Sequence, residues 1–273
     1  MIPQLFQTLF LGLIQGVSEW LPISSTAHLK IAEIYFGFSS PALFNLLLHL
    51  GTMAVVLFYF RRDIKNILAA LFHGDFKSEN GMIIPRIVVA TIPTAVIGMA
   101  YDLFLQDSLG TIPIMGVTFI IGATIVYTTK SAKENVDELS YRTVILMGLA
   151  QGFAIFPGLS RSGVTISTAL LLGQKREKAF KFSFLLSIPA IIGDFGVEAY
   201  TQRGVLSTSG IGVVEAVAAL AVSAVVGYFA IKLVSRTVRG KKFHWFAAYT
   251  WVLGILLLAA SLILNYTWVA STL

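Results

Sequence analysis

Gln15-Gly16-Val17-Ser18-Glu19-Trp20-Leu21-Pro22-Ile23-Ser24-Ser25-Thr26-Ala27-His28 interrupts an apolar run near the start of the chain. A second stretch, Gln151-Gly152-Phe153-Ala154-Ile155-Phe156-Pro157-Gly158-Leu159-Ser160-Arg161-Ser162-Gly163, interrupts another near the middle. At a shift of 136 residues Gly12 meets Gly148, Gln15 meets Gln151, Gly16 meets Gly152 and Ser24 meets Ser160. Polar, irregular backbone survives at membrane depth only where protein or a water-filled cavity satisfies its N–H and C=O groups. Matching breaks in two halves of a chain point to an internal repeat with a ligand site where they meet.

The rest of the sequence supports that setting. Hydrophobic residues make up 56% and charged residues 12%, too little charge to clothe a water-facing surface. No Lys or Arg precedes Lys30, so the first apolar stretch lacks the basic start of a cleavable leader and reads as a retained segment. The net charge of +6 is not a nucleic-acid signal, because the basic residues sit in short loops at 61–65, 130–133, 175–181 and 236–242. Such an excess marks a cytoplasmic face. The absence of cysteine excludes disulfides, thiolate metal sites and a cysteine nucleophile.

Six apolar stretches, roughly 43–60, 84–103, 112–129, 182–200, 211–235 and 244–264, approach the ~20 residues a hydrocarbon core demands. Two further pairs, about 3–37 and 142–173, are broken in the middle and read as re-entrant helical hairpins. With every basic loop placed inside, both termini fall outside and one hairpin enters from each face. The expected fold is therefore an all-α polytopic membrane protein forming one membrane domain. Residues 1–136 and 137–273 would be two inverted repeats, each a hairpin plus three transmembrane helices.

At the two tips, spacing suggests chemistry. Gln15 and Glu19 are four apart and share a helical face, as do Ser25 and His28 if a helix restarts after Pro22. Ser24, Ser25 and Thr26 suit the start of that helix, where hydroxyls cap and free N–H groups attract anions. Arg161, between Ser160 and Ser162, suits phosphate recognition. An ionisable side chain at the centre of a membrane helix costs ~2.5–3.5 kcal/mol on insertion scales, so Glu19, His28 and Arg161 need partners or a charged ligand. The set fits a phosphate ester or anhydride. Oxygen ligands on Glu19 would suit Mg²⁺ or Ca²⁺.

Gln15-x-x-x-Glu19 with Pro22-Ile23-Ser24-Ser25-Thr26-Ala27-His28, followed by Pro157-Gly158-Leu159-Ser160-Arg161-Ser162-Gly163-x-Thr165, resembles the undecaprenyl-diphosphate phosphatase family of the bacitracin-resistance type, over essentially the whole chain. The resemblance implies hydrolysis of a polyprenyl diphosphate to the monophosphate, recycling the lipid carrier of cell-wall sugars. It further implies a plasma-membrane location, an active site open to the outer face and often a dimer. Carried over by position, it assigns the acidic motif to Gln15 and Glu19, the Ser/His pair to Ser25 and His28, and the arginine to Arg161. Gln15 departs from the Glu of many members, and Asn45 stands where members often carry an acid. On this reading Ser25 attacks the distal phosphorus and His28 accepts its proton, while Glu19 holds a metal or orients His28. Arg161 and N–H groups near Ser160 and Ser162 would stabilise the phosphoryl oxygens, with Gln15, Ser24, Thr26, Gly163 and Thr165 lining the site. Direct attack by water, with Ser25 only binding, is an equally chemical rival.

Other polar residues have plainer readings. His49 reads as a core or interface hydrogen bond, and His73 and His244 as solvated. Asp194 is either an intramembrane site or, flanked by Gly193 and Gly196, a residue packed against a neighbouring helix. Gly12, Gly16, Gly148 and Gly152 read as close helix packing. Lys30 and Glu33 line the mouth of the site or pair with each other. A transporter or flippase of polyprenyl phosphate lipids also suits an inverted repeat, though transport alone does not call for Ser25, His28 and Arg161 together. A type-2 phosphatidic-acid phosphatase would need a histidine soon after its Ser-Arg pair, and the next after Arg161 is His244.

Overall fold

A computed structural model describes residues 4–37, 40–105, 111–201 and 211–272; both chain ends, and residue 3 at the expected start of the first apolar pair, lie outside these. The described residues are helical, with no strand beyond one isolated bridge between Val136 and Gln174. In hydrocarbon this is the expected outcome, because a helix satisfies its backbone groups within one segment.

Each of the six apolar stretches coincides with one helix: α3 (Ala42–Tyr59), α5 (Ile83–Phe104), α6 (Ile112–Thr128), α9 (Arg176–Thr201), α10 (Val213–Arg239) and α11 (Phe246–Thr272). Among the described residues, five helical segments are long and apolar enough to cross a membrane, and α3 makes a sixth when joined to α4 (Arg61–Phe72). The chain is thus a multi-pass membrane protein. The two broken pairs form α1 (Gln4–Trp20) with α2 (Ser25–Phe36), and α7 (Tyr141–Phe153) with α8 (Arg161–Leu171). At 1.5 Å per residue, the 12, 13 and 11 residues of α2, α7 and α8 fall well short of a ~30 Å core.

Several boundaries differ from expectation: α10 runs on to Arg239, into the basic 236–242 cluster, and α11 to Thr272. The basic segment at 61–65 is no loop but the start of α4, bent 77° from α3 at Phe60. Its charged residues and its Ile64, Ile67 and Leu71 alternate at helical spacing, so it forms an amphipathic helix of its own. Helix α9 begins at Arg176, six residues before the apolar run, because Glu177, Lys178 and Lys181 all favour helix and find ionic partners off the membrane core.

Helix α1 packs on α10, α7 on α5, and α6 on α11. Glycine sets the closeness. A Cβ at Gly12 would stand 2.5 Å from the Ala219 carbonyl oxygen and one at Gly16 2.7 Å from that of Ser223, both on α10. Gly148 and Gly152 press in the same way on Ala90 and Ile97 of α5. The expected close packing is present at all four positions. At the basic end of the bundle, Asp137 bridges Lys175 (2.9 Å) and Lys178 (3.0 Å), and Arg176 holds Glu134 at 2.9 Å. The two lysines hold the Asp137 carboxyl below its usual range.

Candidate active site

The buried stripe of α1 (Thr8, Leu11, Gly12, Gln15, Gly16, Glu19) recurs at helical spacing and ends in Trp20, where the chain turns through 21–24 into α2. The α7–α8 turn meets this tip. Ser160 Oγ donates to the Leu21 carbonyl (3.2 Å), Ser162 Oγ to the Trp20 carbonyl (2.9 Å), and Gly158 N–H to Ser24 Oγ (3.1 Å). Gly163 lies against Pro22. The breaks therefore satisfy each other's backbone, as their placement in apolar surroundings requires.

Where they meet, Glu19 is 5% exposed and fully engaged. Its Oε1 pairs with Arg161 Nη2. Its Oε2 accepts from Ser25 Oγ at 2.7 Å and Gln15 Nε2 at 3.1 Å, and lies 3.3 Å from His49 Nδ1. The Gln15 amide also reaches His49 Nδ1 (2.8 Å) and Thr52 Oγ1 (3.4 Å). Arg161 Nη1 is buried with no hydrogen-bond partner among the described residues. An unpaired guanidinium N–H is suited to an acceptor such as a phosphoryl oxygen.

The profile of bacitracin resistance protein BacA matches residues 8–256. The chain belongs to the BacA family. It is 39% identical to the undecaprenyl-diphosphatase of Korarchaeum cryptofilum, over 94% of this chain and 99% of that one. The like-named protein of Carboxydothermus hydrogenoformans is 37% identical over 93% and 96%, and that of Methanobrevibacter smithii 32% identical over 94% and 98%.

In this member of the BacA family, not every residue expected at the site converges there. Gln15, Glu19, Ser25 and Arg161 do. His28 does not bond to Ser25 among the described residues; its Nδ1 lies 2.7 Å from the Ser24 carbonyl and its Nε2 2.7 Å from Tyr249 Oη. Ser24 does not cap α2: at φ 67° its hydroxyl turns to Gly158, leaving the first N–H groups of α2 without a side-chain cap. Ser160 does cap α8, accepting from Gly163 N–H at 3.2 Å. Thr165 Oγ1 donates to the Arg161 carbonyl at 2.8 Å and meets Ser183 Oγ of α9 at 2.5 Å, so it ties the start of α8 to α9.

A small cavity of about 10 Å³ is lined by Glu19, Arg161, Ser162, Ser183 and Ser187 among others. A larger one, about 210 Å³, reaches His49 and is lined by Thr26, Lys30, Glu33, Asn45 and apolar Leu29 and Met115. Lys30 and Glu33 thus do both things expected of them, lining a mouth and pairing at 4.0 Å. Asp194 is exposed on α9.

The site residues that sequence reading missed are His49 and Thr52 of α3, Ser183 and Ser187 of α9, and Tyr249 of α11. For the α3 pair a signal existed: Asn45, His49 and Thr52 fall at i, i+4 and i+7, a polar stripe on an otherwise apolar helix. For a metal, the donor set is thin. Glu19 is the sole carboxylate touching Arg161 and Ser25, both its oxygens carry donors, and no three His, Asp or Glu side chains converge among the described residues. A resident divalent ion does not fit this set.

Proposed function

We propose that this chain removes the terminal phosphate of an undecaprenyl-type polyprenyl diphosphate, releasing inorganic phosphate and the lipid monophosphate that carries cell-envelope sugars. The observation that carries this reading is the Ser25 hydroxyl seated on buried Glu19, beside the unpaired N–H of Arg161. The names of the relatives agree with it.

Ser25 Oγ bonds to the terminal phosphorus as the bridging P–O bond breaks, and the electron pair leaves with the lipid phosphate. The hydroxyl proton passes to Glu19, the base within hydrogen-bond reach. Arg161 and the open N–H groups at the start of α2 stabilise the phosphoryl oxygens. Water then cleaves the Oγ–P bond, and Glu19 returns the proton to Ser25. The hydroxyl-lined cavity beside Glu19 favours one variant, in which a water held there attacks directly with Glu19 as base. A divalent cation, Mg²⁺ or Ca²⁺, belongs in this scheme as a companion of the diphosphate, and no step runs through it.

The same reading places the basic end of the bundle in the cytoplasm and both termini outside, with the larger cavity opening outward. It treats α1–α2 and α7–α8 as re-entrant hairpins of an inverted repeat. The exchanged packing supports this: the first hairpin rests on α10 of the second half, the second on α5 of the first. A homodimer belongs to the same proposal.

Phosphate release by detergent-purified protein acting on a long-chain polyprenyl diphosphate tests the reading, with Arg161→Ala as control. Loss of one preorganised donor typically costs 10²–10³ in rate, so Arg161→Ala should fall by at least about that. Substrate binding without release would sink it, and a trapped phosphoserine would separate serine from water attack.

A further inference from the structure

We infer that Tyr249, which neither interrupted segment contains, is a positioning residue that acts through His28 to fix the backbone at Ser24 and so aim the Ser25 hydroxyl. The inference rests on the phosphatase reading above. A carbonyl oxygen only accepts, so the 2.7 Å contact from His28 to Ser24 requires hydrogen on Nδ1. In the neutral ring Nε2 then carries the lone pair, and the Tyr249 hydroxyl donates to it at 2.7 Å. Tyr249 stacks on the imidazole with centroids 5.7 Å apart at 18°, while Phe119 meets it edge-on at 5.6 Å and 87°. Both nitrogens and two sides of the ring are taken.

What the ring holds is a strained turn. Ser24 has φ 67° and ψ 100°, a left-handed φ that L residues other than glycine rarely adopt. Such a conformation persists where its surroundings over-determine it. Here the Gly158 N–H fixes the side chain of Ser24 and the His28 ring fixes its carbonyl. The Ser24 peptide sets where α2 begins, and Ser25 is its first residue, with its hydroxyl 2.7 Å from Glu19. With Nε2 occupied by Tyr249, His28 has no lone pair free for Ser25, and Glu19 is left as the proton acceptor.

The test compares kcat and KM for a long-chain polyprenyl diphosphate in wild type, His28→Ala, His28→Asn and Tyr249→Phe, with thermal unfolding of each in detergent. Asparagine Nδ2 can donate to the Ser24 carbonyl as imidazole Nδ1 does, but it offers no basic nitrogen. A small misplacement of a reacting group costs on the order of 10²-fold, so His28→Ala should lose about that much kcat while His28→Asn stays within roughly ten-fold of wild type. Tyr249→Phe removes one neutral hydrogen bond and should lower kcat about five-fold at unchanged KM. A folded His28→Asn protein as inactive as His28→Ala would overturn the inference by making His28 the base. Unaltered kcat in Tyr249→Phe would overturn it as well. A wild-type protein that binds the lipid yet releases no phosphate overturns the phosphatase reading itself, a result distinct from either.

Discussion

Glu19→Gln isolates the charge at the centre of the site while nearly preserving its shape. The glutamate is 5% exposed and its partner's side chain 20% exposed, so this is a mostly buried pair. Removing one member of such a pair typically costs ~3–5 kcal/mol, because the other charge is left uncompensated. The amide still accepts one hydrogen bond through Oε1, which should hold the loss near the lower end of that range. Catalysis should suffer more. A positioned base contributes about 10²–10⁴-fold, and Ser25 has no other acceptor at 2.7 Å. Binding should move the opposite way. Arg161, released from the carboxylate, is freed for the diphosphate; a hydrogen bond to a charged group contributes ~1.5–3 kcal/mol, so an unreactive diphosphate analogue should bind about ten-fold tighter or more. The assays are phosphate release for kcat, calorimetry with the analogue, and thermal unfolding in detergent. A folded Glu19→Gln protein with kcat within ten-fold of wild type would refute Glu19 as base. Weaker analogue binding would refute the competition between Glu19 and phosphate for Arg161.

The remaining predictions concern packing, a buried amide, metal and pH. Gly12→Leu and Gly148→Leu drive a side chain into the carbonyls of Ala219 and Ala90 and should each cost ~1–3 kcal/mol, whereas Gly98→Ala and Gly193→Ala meet nothing within 4 Å and should leave the unfolding midpoint unchanged or raised. His49→Leu removes the acceptor 2.8 Å from the Gln15 amide and should lower stability by ~1–3 kcal/mol, read as the unfolding midpoint. Chelation should slow phosphate release, because the cation accompanies the diphosphate substrate, and should leave that midpoint unchanged; a lower midpoint would show an ion held by the protein. Asp137 is held below its ordinary range by Lys175 and Lys178, so its contribution is present above the unfolded value, ~3.9, and is lost as pH falls through and below it. The difference in midpoint between wild type and Asp137→Asn should therefore shrink on acidification and stay constant from pH 5 upward.

Much of the fold was legible because the bilayer is a severe solvent. It forces backbone pairing within each segment and drives charge out of the apolar runs, so those runs mark the helices and Arg61, Lys130 and Arg236 mark one end. The paired breaks were legible for the same reason, since polar backbone among apolar residues must be answered by something. Helix α4 was hidden because a charged segment reads as a loop unless its apolar residues are followed at helical period. Within the site, Glu19, Ser25 and Arg161 stood out as polar groups where polarity is costly. His49 did not, because the stripe it forms with Asn45 and Thr52 marks a polar face on α3 without saying which other helix that face meets.

The sequence by itself determined an all-helical membrane protein, the four close-packed glycines, and a site built from two interrupted segments, all consequences of local composition and period. Only the tertiary structure decided the pairings. Arg161 meets Glu19 across 142 residues and Tyr249 meets His28 across 221. Helical spacing says which side chains share a face, never which other helix that face will meet. Ser25 and His28 share a face by spacing, yet the turn at Ser24 and the neighbours of each ring and hydroxyl sent one to Glu19 and the other to Tyr249. Their partners came from other helices and from the turn, which packing brings within 3 Å.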